Sequence, residues 1–496
     1  MHWANFLHIY QPPSQLPDIF ERVVFESYRP IIRGLFKYKQ ARITLNINGV
    51  LTAKLAQNNK YKDVVRDLKK LANLRRIEFV ASAQNHAFLP LLPESEIKRQ
   101  ILLNNKTNSH FLGRAYRPEG FFSPEMAYSN KVAKVAKELG YKWMLADELA
   151  FNGKEGAADF SQIYTIKGLD NFSLIFKERR TSNLIVEAIV RSGRSLEKEM
   201  KQQLKQDRYL LTAMDGETFG HHRPGLEELL YDIFARPEFK KVFISDIIKK
   251  FPSAGSIRPI DSTWSTFEKD LRKNLPYKLW WDPQNTLHKV QWGFTNFVIK
   301  EVYKLKGRQE YQKTRTRLDN ALASCYYWWA SKYWWSLEIV EQGAFEMRNV
   351  IFDIPGLSKK TKERADKFYR EILNVAFDWQ RNGVIRRFHK AQEDWQGQPF
   401  KKRTHAEWFN QMVLEFEAEM KKAASNQEYE QAIKWRDAVI KLKSGADVFD
   451  VLHVVNELWT VRKIPSVKPF LKQKKFSKFA KKYFIPLAKN AKKKKR

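Results

Sequence analysis

Two carboxylates stand apart in this chain because each sits in a turn-rich, aromatic segment rather than on a charged helical face. Glu125 lies in GFFSPEMAYS, from Gly120 to Ser129, and Asp215 in TAMDGETFGHHRPG, from Thr212 to Gly225. Aspartate and glutamate are solvated surface groups in most settings. These two follow apolar runs, so each is expected to emerge at a strand end and face a cleft. Such a pair suits glycoside hydrolysis, in which one carboxyl attacks the anomeric carbon or activates water and the other protonates the leaving oxygen. The task requires environments that push the two proton affinities apart, and flanking aromatics raise that of the acid.

The elements that must position them are legible as alternating short apolar strands and amphipathic helices up to about residue 265. Candidate strands are Trp3–Ile9, Arg42–Ile47, Ile77–Ala83, Gly120–Phe122, Trp143–Ala146, Leu184–Val190 and Leu210–Met214. Between them the helical period predicts helices at Lys62–Leu74, Glu94–Phe111, Asn130–Leu139 and Gly225–Ala235. This alternation predicts a parallel sheet or barrel. The polar residues His8 to Gln11, His86, Glu125 and Asp215 to His221 fall just after strand ends, on the edge where such folds build active sites.

Beyond Asp261 the pattern becomes helical, with aromatic-rich stretches at Asn285–Lys304, Gln312–Trp334, Leu337–Val350 and Lys360–Asn382. A charged helical pair is expected over His405–Lys443, turning at Ser425-Asn426, and one more helix from Gly445 to about Val461. The expected division is therefore an α/β barrel over 1–265, a helical domain over 266–400, a helical region over 401–464 and a basic tail over 465–496.

Net charge is +34 over 496 residues, but 13 Lys or Arg and no acid lie between Pro465 and Arg496. The charge favours anionic surfaces through that tail, with a solubilising, disordered end as the plainer reading. A single cysteine, Cys325, excludes an intramolecular disulfide and multi-cysteine metal sites. With no signal-peptide pattern and no apolar run of about 20 residues, a cytoplasmic protein without a membrane span is expected. No metal or other cofactor is expected: adjacent histidines such as His221-His222 do not converge easily on one ion.

Five ordered segments resemble glycoside hydrolase family 57. They are HIYQPP at His8–Pro13, RIEFVASAQNHAFLPLLP at Arg76–Pro93, GFFSPEMAYS, DGETFGHH at Asp215–His222, and ASCYYWWASKYWWSLEIVEQGA at Ala323–Ala344. The resemblance implies an incomplete (β/α)7 barrel followed by an all-helical domain. It also implies retaining action on α-1,4- or α-1,6-glucans by hydrolysis or glucanotransfer, with Glu125 as nucleophile and Asp215 as acid/base. His8, Glu78, Glu217 and Trp328 fall on the family's donor-subsite contacts, and Tyr10, Gln11, His86 and His221 complete the expected substrate-binding set. His8 and His86 are expected to donate to sugar hydroxyls and Trp328 to stack on a ring. The competing reading of His86 is a hydrogen-bonded core histidine, and at least one of Trp328 and Trp329 is expected in the core.

Two positions depart from the family pattern: Tyr10 replaces its second histidine, and Cys325 stands where an aspartate is common. Both departures fall at the expected donor subsite, so a catalytically weakened carbohydrate-binding or regulatory protein is the alternative reading. A nucleic-acid-binding protein rests on net charge alone, and a metal-dependent deacetylase lacks its ligand set. Farther along, Ala418–Lys443 resembles the UVR motif, a helical hairpin that packs against partner proteins; the competing reading is an ordinary charged hairpin.

Overall fold

The computed structural model describes residues 1–393 and 406–444. They fall into two compact units, Met1–Val186 with Ser192–His389, and Glu187–Arg191 with the chain from Lys390 onward.

Ten strands are present among the described residues: β1 (His2–Ile9), β2 (Ile43–Ile47), β3 (Ile77–Val80), β4 (Gly120–Phe121), β5 (Trp143–Asp147), β6 (Ile163–Ile166), β7 (Leu169–Lys177), β8 (Tyr209–Asp215), β9 (Lys240–Lys241) and β10 (Ser253–Ile257). They form two five-stranded sheets, one in the order β3-β2-β1-β8 with β9 beside β1, the other β10-β6-β7-β5-β4. Strands β1, β2 and β5 are buried along their whole length. Burial on both faces is the rule for parallel strands covered by helices, and it explains their near-continuous apolar sequence.

The two sheets meet at two narrow seams. At one, Ala81 N–H donates to Gly120 O at 3.0 Å and Phe122 N–H to Ala81 O at 2.8 Å. At the other, Glu178 N–H donates to Leu211 O at 2.9 Å. The circuit β8-β1-β2-β3-β4-β5-β7 is thus an incomplete (β/α)7 barrel, with its strand ends gathered on one edge. Pairing sets a common level there: His8 lies opposite Asn46 on one side and Asp215 on the other, and Asp147 lies opposite Lys177.

Two sequence expectations fail here. Leu184–Val190 is not a strand; helix Arg179–Val186 covers its start. The Glu178 carboxylate accepts from Thr181 N–H at 2.7 Å, capping that helix, and apolar runs as short as Leu184-Ile185-Val186 do not by themselves separate strand from helix. The strand position belongs to β7, which forms a hairpin with β6 around Gly168 at φ +84°. Nor is Gln312–Trp334 one helix. Helix Tyr311–Ala321 stops, Ala323 bridges to Ala87, Ser324 N–H donates to His86 O at 3.0 Å, and only Cys325–Trp328 resumes helical form.

Helices Thr286–Tyr303, Leu337–Phe352 and Lys359–Arg381 follow. One hydrophobic core runs from barrel residues such as Phe6 and Phe122 into Phe294, Val298 and Ile372 of these helices, without a break at residue 265. A buried charge network also joins the two parts: Arg315 holds Glu96 through bonds of 2.9 and 2.7 Å, and Asp319 accepts from Arg99 at 2.7 Å.

In the second unit, helices Ala406–Ser425 and Tyr429–Ser444 form an antiparallel hairpin. Phe416 and Trp435 meet edge to face at 5.0 Å, and Val413, Ala438 and Leu442 fill the seam. The chain turns at Gln427, φ 60°, just past the expected Ser425-Asn426. The helix expected after Gly445 and the basic tail lie outside the described residues. Among the described residues no helix is long and apolar enough to cross a membrane.

Candidate active site

At the strand-end edge of the barrel lies a cleft of about 800 Å³ whose walls include His8, Tyr10, Gln11, His86, Glu125, Asp215, Glu217, His222, Trp264, Ser324, Cys325 and Trp328. Each arrives by a different local device. Glu125 follows β4 in a tight turn and takes the left-handed region at φ 62°, as does His86 at φ 55°. Such backbone is uncommon for residues with a Cβ and is found where the surroundings hold a functional side chain in place. Asp215 ends β8, and Glu217 follows in a single 3-10 turn.

Glu125 accepts from Trp264 Nε1–H at 3.0 Å, while Trp264 N–H donates to Glu125 O at 3.2 Å, so one tryptophan fixes both ends of the residue. The Ser324 hydroxyl also reaches the carboxylate. Burial pushes the Glu125 carboxyl up to about 7 against these two bonds. Asp215 is raised well above the usual range, first by burial and then by the charges of Glu217 and Glu125; the Lys177 ammonium pulls the other way. Burial raises Glu217 too, but its Oε1 accepts from Gln11 at 3.1 Å, Tyr28 at 2.5 Å and Tyr10 N–H at 3.3 Å. Three donors make Glu217 the better-supported anion, leaving the proton of the pair to Asp215.

Lys177, at the end of β7, is buried and its ammonium is pushed down to about 8 by that burial. It lies 3.9 Å from Asp147 and 5.8 Å from the centre of the Trp264 ring.

The two histidines are linked. His8 Nδ1 is 2.7 Å from Asn46 Oδ1, His8 Nε2 is 3.0 Å from His86 Nε2, and His86 Nδ1 is 2.8 Å from Ser324 Oγ. All ring nitrogens of both residues are thus engaged within the protein rather than free for sugar hydroxyls. Burial pushes His8 down to about 4 and holds His86 well below its ordinary value. Tyr10 stacks on His86 at 4.2 Å, and its buried hydroxyl faces the Cys325 thiol without a well-formed hydrogen bond. Burial pushes that thiol up to about 12, so it stays protonated.

Two expected site residues are elsewhere. Glu78 sits within β3 with its carboxylate accepting from Thr44 Oγ1 at 2.9 Å and Ile244 N–H at 3.1 Å, where it caps helix Ile244–Lys250 outside the cleft. His221 pairs with Glu26 at 2.6 Å, and its neighbour His222 lines the cleft instead. Gln11 is present but spends its amide on Glu217. Trp328 lines the cleft, stacked on half-exposed Trp334 at 4.7 Å and 15°.

Trp264, Ser324 and Lys177 were not expected. Ser262-Thr263-Trp264, polar and turn-rich behind the last barrel helix, offers a faint signal for the first. Ser324 was hidden inside an apparent helix, and Lys177 ends a strand that the sequence pattern did not disclose.

Comparison with known proteins gives a consistent picture. The model of glycosyl hydrolase family 57 matches residues 5–258, and that of the UvrB/uvrC motif matches residues 411–445. A putative alpha-amylase of Methanocaldococcus jannaschii is 24% identical over 289 residues, covering 53% of this chain and 59% of that protein. The crystal structure of a 4-alpha-glucanotransferase from Thermococcus litoralis superposes with a TM-score of 0.57 at 15% identity, covering 72% of this chain and 61% of that one. A branching enzyme from Thermococcus kodakaraensis gives a TM-score of 0.56 at 15% identity, covering 75% of this chain and 95% of that one. The chain spans less than two thirds of the length of the curated relatives it matches.

Proposed function

The chain belongs to glycosyl hydrolase family 57, and from that premise we propose that it is a retaining glycoside hydrolase or glucanotransferase acting on α-1,4- or α-1,6-glucans. The observation that carries the reading is the placing of two buried carboxyls, Glu125 and Asp215, in one cleft, both raised above their ordinary range by burial and with Glu125 aimed by Trp264. Asp215 protonates the glycosidic oxygen as ionised Glu125 attacks the anomeric carbon, giving a glycosyl-enzyme. Esterification removes the Glu125 charge, one of the two that raise Asp215, so its proton affinity falls and Asp215, having given up its proton, stays ionised to take one from the attacking water or sugar hydroxyl as general base. Trp264 aims Glu125, Glu217 tunes Asp215, and Trp328 with Trp334 offers an aromatic face for a sugar ring.

A second reading, a carbohydrate-binding protein with little turnover, is favoured by one feature: the Tyr10 ring lies on His86 and faces a thiol that cannot accept from sugar hydroxyls as a carboxylate can. Product analysis after incubation with maltoheptaose separates the cases. Short sugars alone mean hydrolysis, a ladder running past the input means transfer, and unchanged but bound substrate selects the second reading. We also assign the UVR-like hairpin to docking of a protein partner and the basic tail to weak, salt-sensitive contact with anionic surfaces. A cytoplasmic setting suits the single thiol.

A further inference from the structure

The segment 262–266 carries Trp264 to Glu125, yet it belongs to neither sheet and touches the strand ends through a lone bridge from Ser262 to Tyr128. Its anchor on the other side is Arg179. That side chain is buried just past the end of β7 and reaches two carbonyls of the segment. Nη1 donates to Trp264 O at 3.4 Å and Nη2 to Thr266 O at 3.1 Å. Nη1 also donates to Asp147 Oδ1 at 2.7 Å. Asp147, fully buried at the end of β5, takes a second bond on Oδ1 from Leu149 N–H at 3.1 Å, so the carboxylate is held where it stands. The backbone of Arg179 is held as well, its N–H donating to Glu148 Oε1 at 2.8 Å.

We infer that Arg179 is a positioning residue for the nucleophile: held by Asp147, it fixes the Trp264 segment so that the indole N–H meets Glu125. It acts on the reaction through Trp264 and not by touching the sugar. This role presupposes Glu125 as the nucleophile proposed above.

The geometry of the guanidinium suits the task. Asp147 on one side and two carbonyls on the other are served at once by one planar fork, which a lysine ammonium does not offer although it carries the same charge. Around the tryptophan the remaining bonds bracket the segment. Trp264 N–H donates to Glu125 O at 3.2 Å, Tyr128 N–H to Ser262 O at 2.8 Å, and Thr266 Oγ1–H to Pro276 O at 2.7 Å. Arg179 adds the ties that lead from this segment to the ends of β5 and β7. A second cation, Lys177, already lies 5.8 Å from the Trp264 ring centre and 3.9 Å from Asp147. Positive charge is thus supplied here without Arg179. A field needs only the cation, whereas an anchor needs the fork, and the two roles separate by substitution.

The test is ¹⁹F NMR on the full chain labelled with 5-fluorotryptophan, the Trp264 signal assigned by W264F, together with kinetics on maltoheptaose. R179K keeps the cation and removes the fork. Expected are a displaced Trp264 signal and a kcat roughly tenfold to a hundredfold lower with KM within about twofold, the size of loss that a misplacement of about 1 Å at a reacting group brings. W264F should lose a similar factor, and R179K/W264F no more than W264F alone, because both residues act through one bond to Glu125. A general loss of structure would lower the double variant further. An unmoved Trp264 signal in R179K, a kcat equal to wild type, or losses that multiply in the double variant would each overturn the anchor. Should R179K fail to fold, D147N keeps the side-chain volume while weakening the hold on Arg179. It should displace the same signal by less, and an unmoved signal there overturns the anchor too. The ¹⁹F comparison needs no turnover, so an E125Q protein that stays active would remove the nucleophile assignment while a displaced signal in R179K leaves the anchor standing.

Discussion

The molecule holds two clusters of buried charge, and they are built on opposite rules. Between barrel and helical cap, Arg315 and Arg99 face Glu96 and Asp319, two cations against two anions, joined by short forked bonds. At the strand ends of the barrel, Glu125, Asp215 and Glu217 share a cleft, and the buried Lys177 is the cation that acts on Asp215. Balance in the first cluster removes any reason for a group to change charge. Deficit in the second leaves protons to be divided among carboxyls, which is the condition for acid/base work.

The sharpest way to break the contrast is to remove one member of each cluster. Glu125→Gln should lower turnover on maltooligosaccharides by about 10⁴-fold or more with the far-UV circular dichroism unchanged. Full activity would show that the deficit is not catalytic. Arg315→Leu strands the buried Glu96 carboxylate and should cost about 3–5 kcal/mol of stability by denaturant titration. A loss below about 1 kcal/mol would mean that the balanced cluster is not structural. The subtler test is stability against pH. The Glu125 carboxyl is raised from 4.5 to about 7 in the folded chain, so the fold binds the extra proton between those values. The stability this contributes is complete below pH 4.5 and lost as pH rises through 7. Glu125→Gln lacks the term, so its stability relative to wild type should improve by about 2–3 kcal/mol from pH 4.5 to 8. A constant difference would refute the raised affinity. Smallest is Lys177→Met: removing a cation that opposes the Asp215 shift should move the alkaline limb of the rate profile upward, by about one pH unit. A downward shift would assign Lys177 another role.

How far the sequence reached differs between these regions for a physical reason. Glu125 and Asp215 were legible because each follows a fully buried run, and in parallel α/β folds the end of such a run is a cleft. The β1, β2, β5 and β8 strands were legible for the same cause. The β6–β7 hairpin was not, since its outer residues are exposed and its turn, Lys167-Gly168, sits in a polar stretch. Glu78 was expected in the site because it falls on a donor-subsite position of the resembled family; only the helix beginning at Ile244 shows that its carboxylate is a cap. The histidines were legible as site residues but not as a linked pair, because their meeting depends on how β1 and the loop after β3 come together.

What the sequence determined by itself was periodic: which segments are buried strands, which are amphipathic helices, and therefore which edge carries the acids. The tertiary structure alone decided the proton traffic. Ser324 enters the cleft because backbone pairing with His86 and Ala87 interrupts a helix, and Trp264 reaches Glu125 across 139 residues. Periodicity is a property of neighbours along the chain, whereas the affinity of a buried group for its proton is set by donors and charges brought to it from afar.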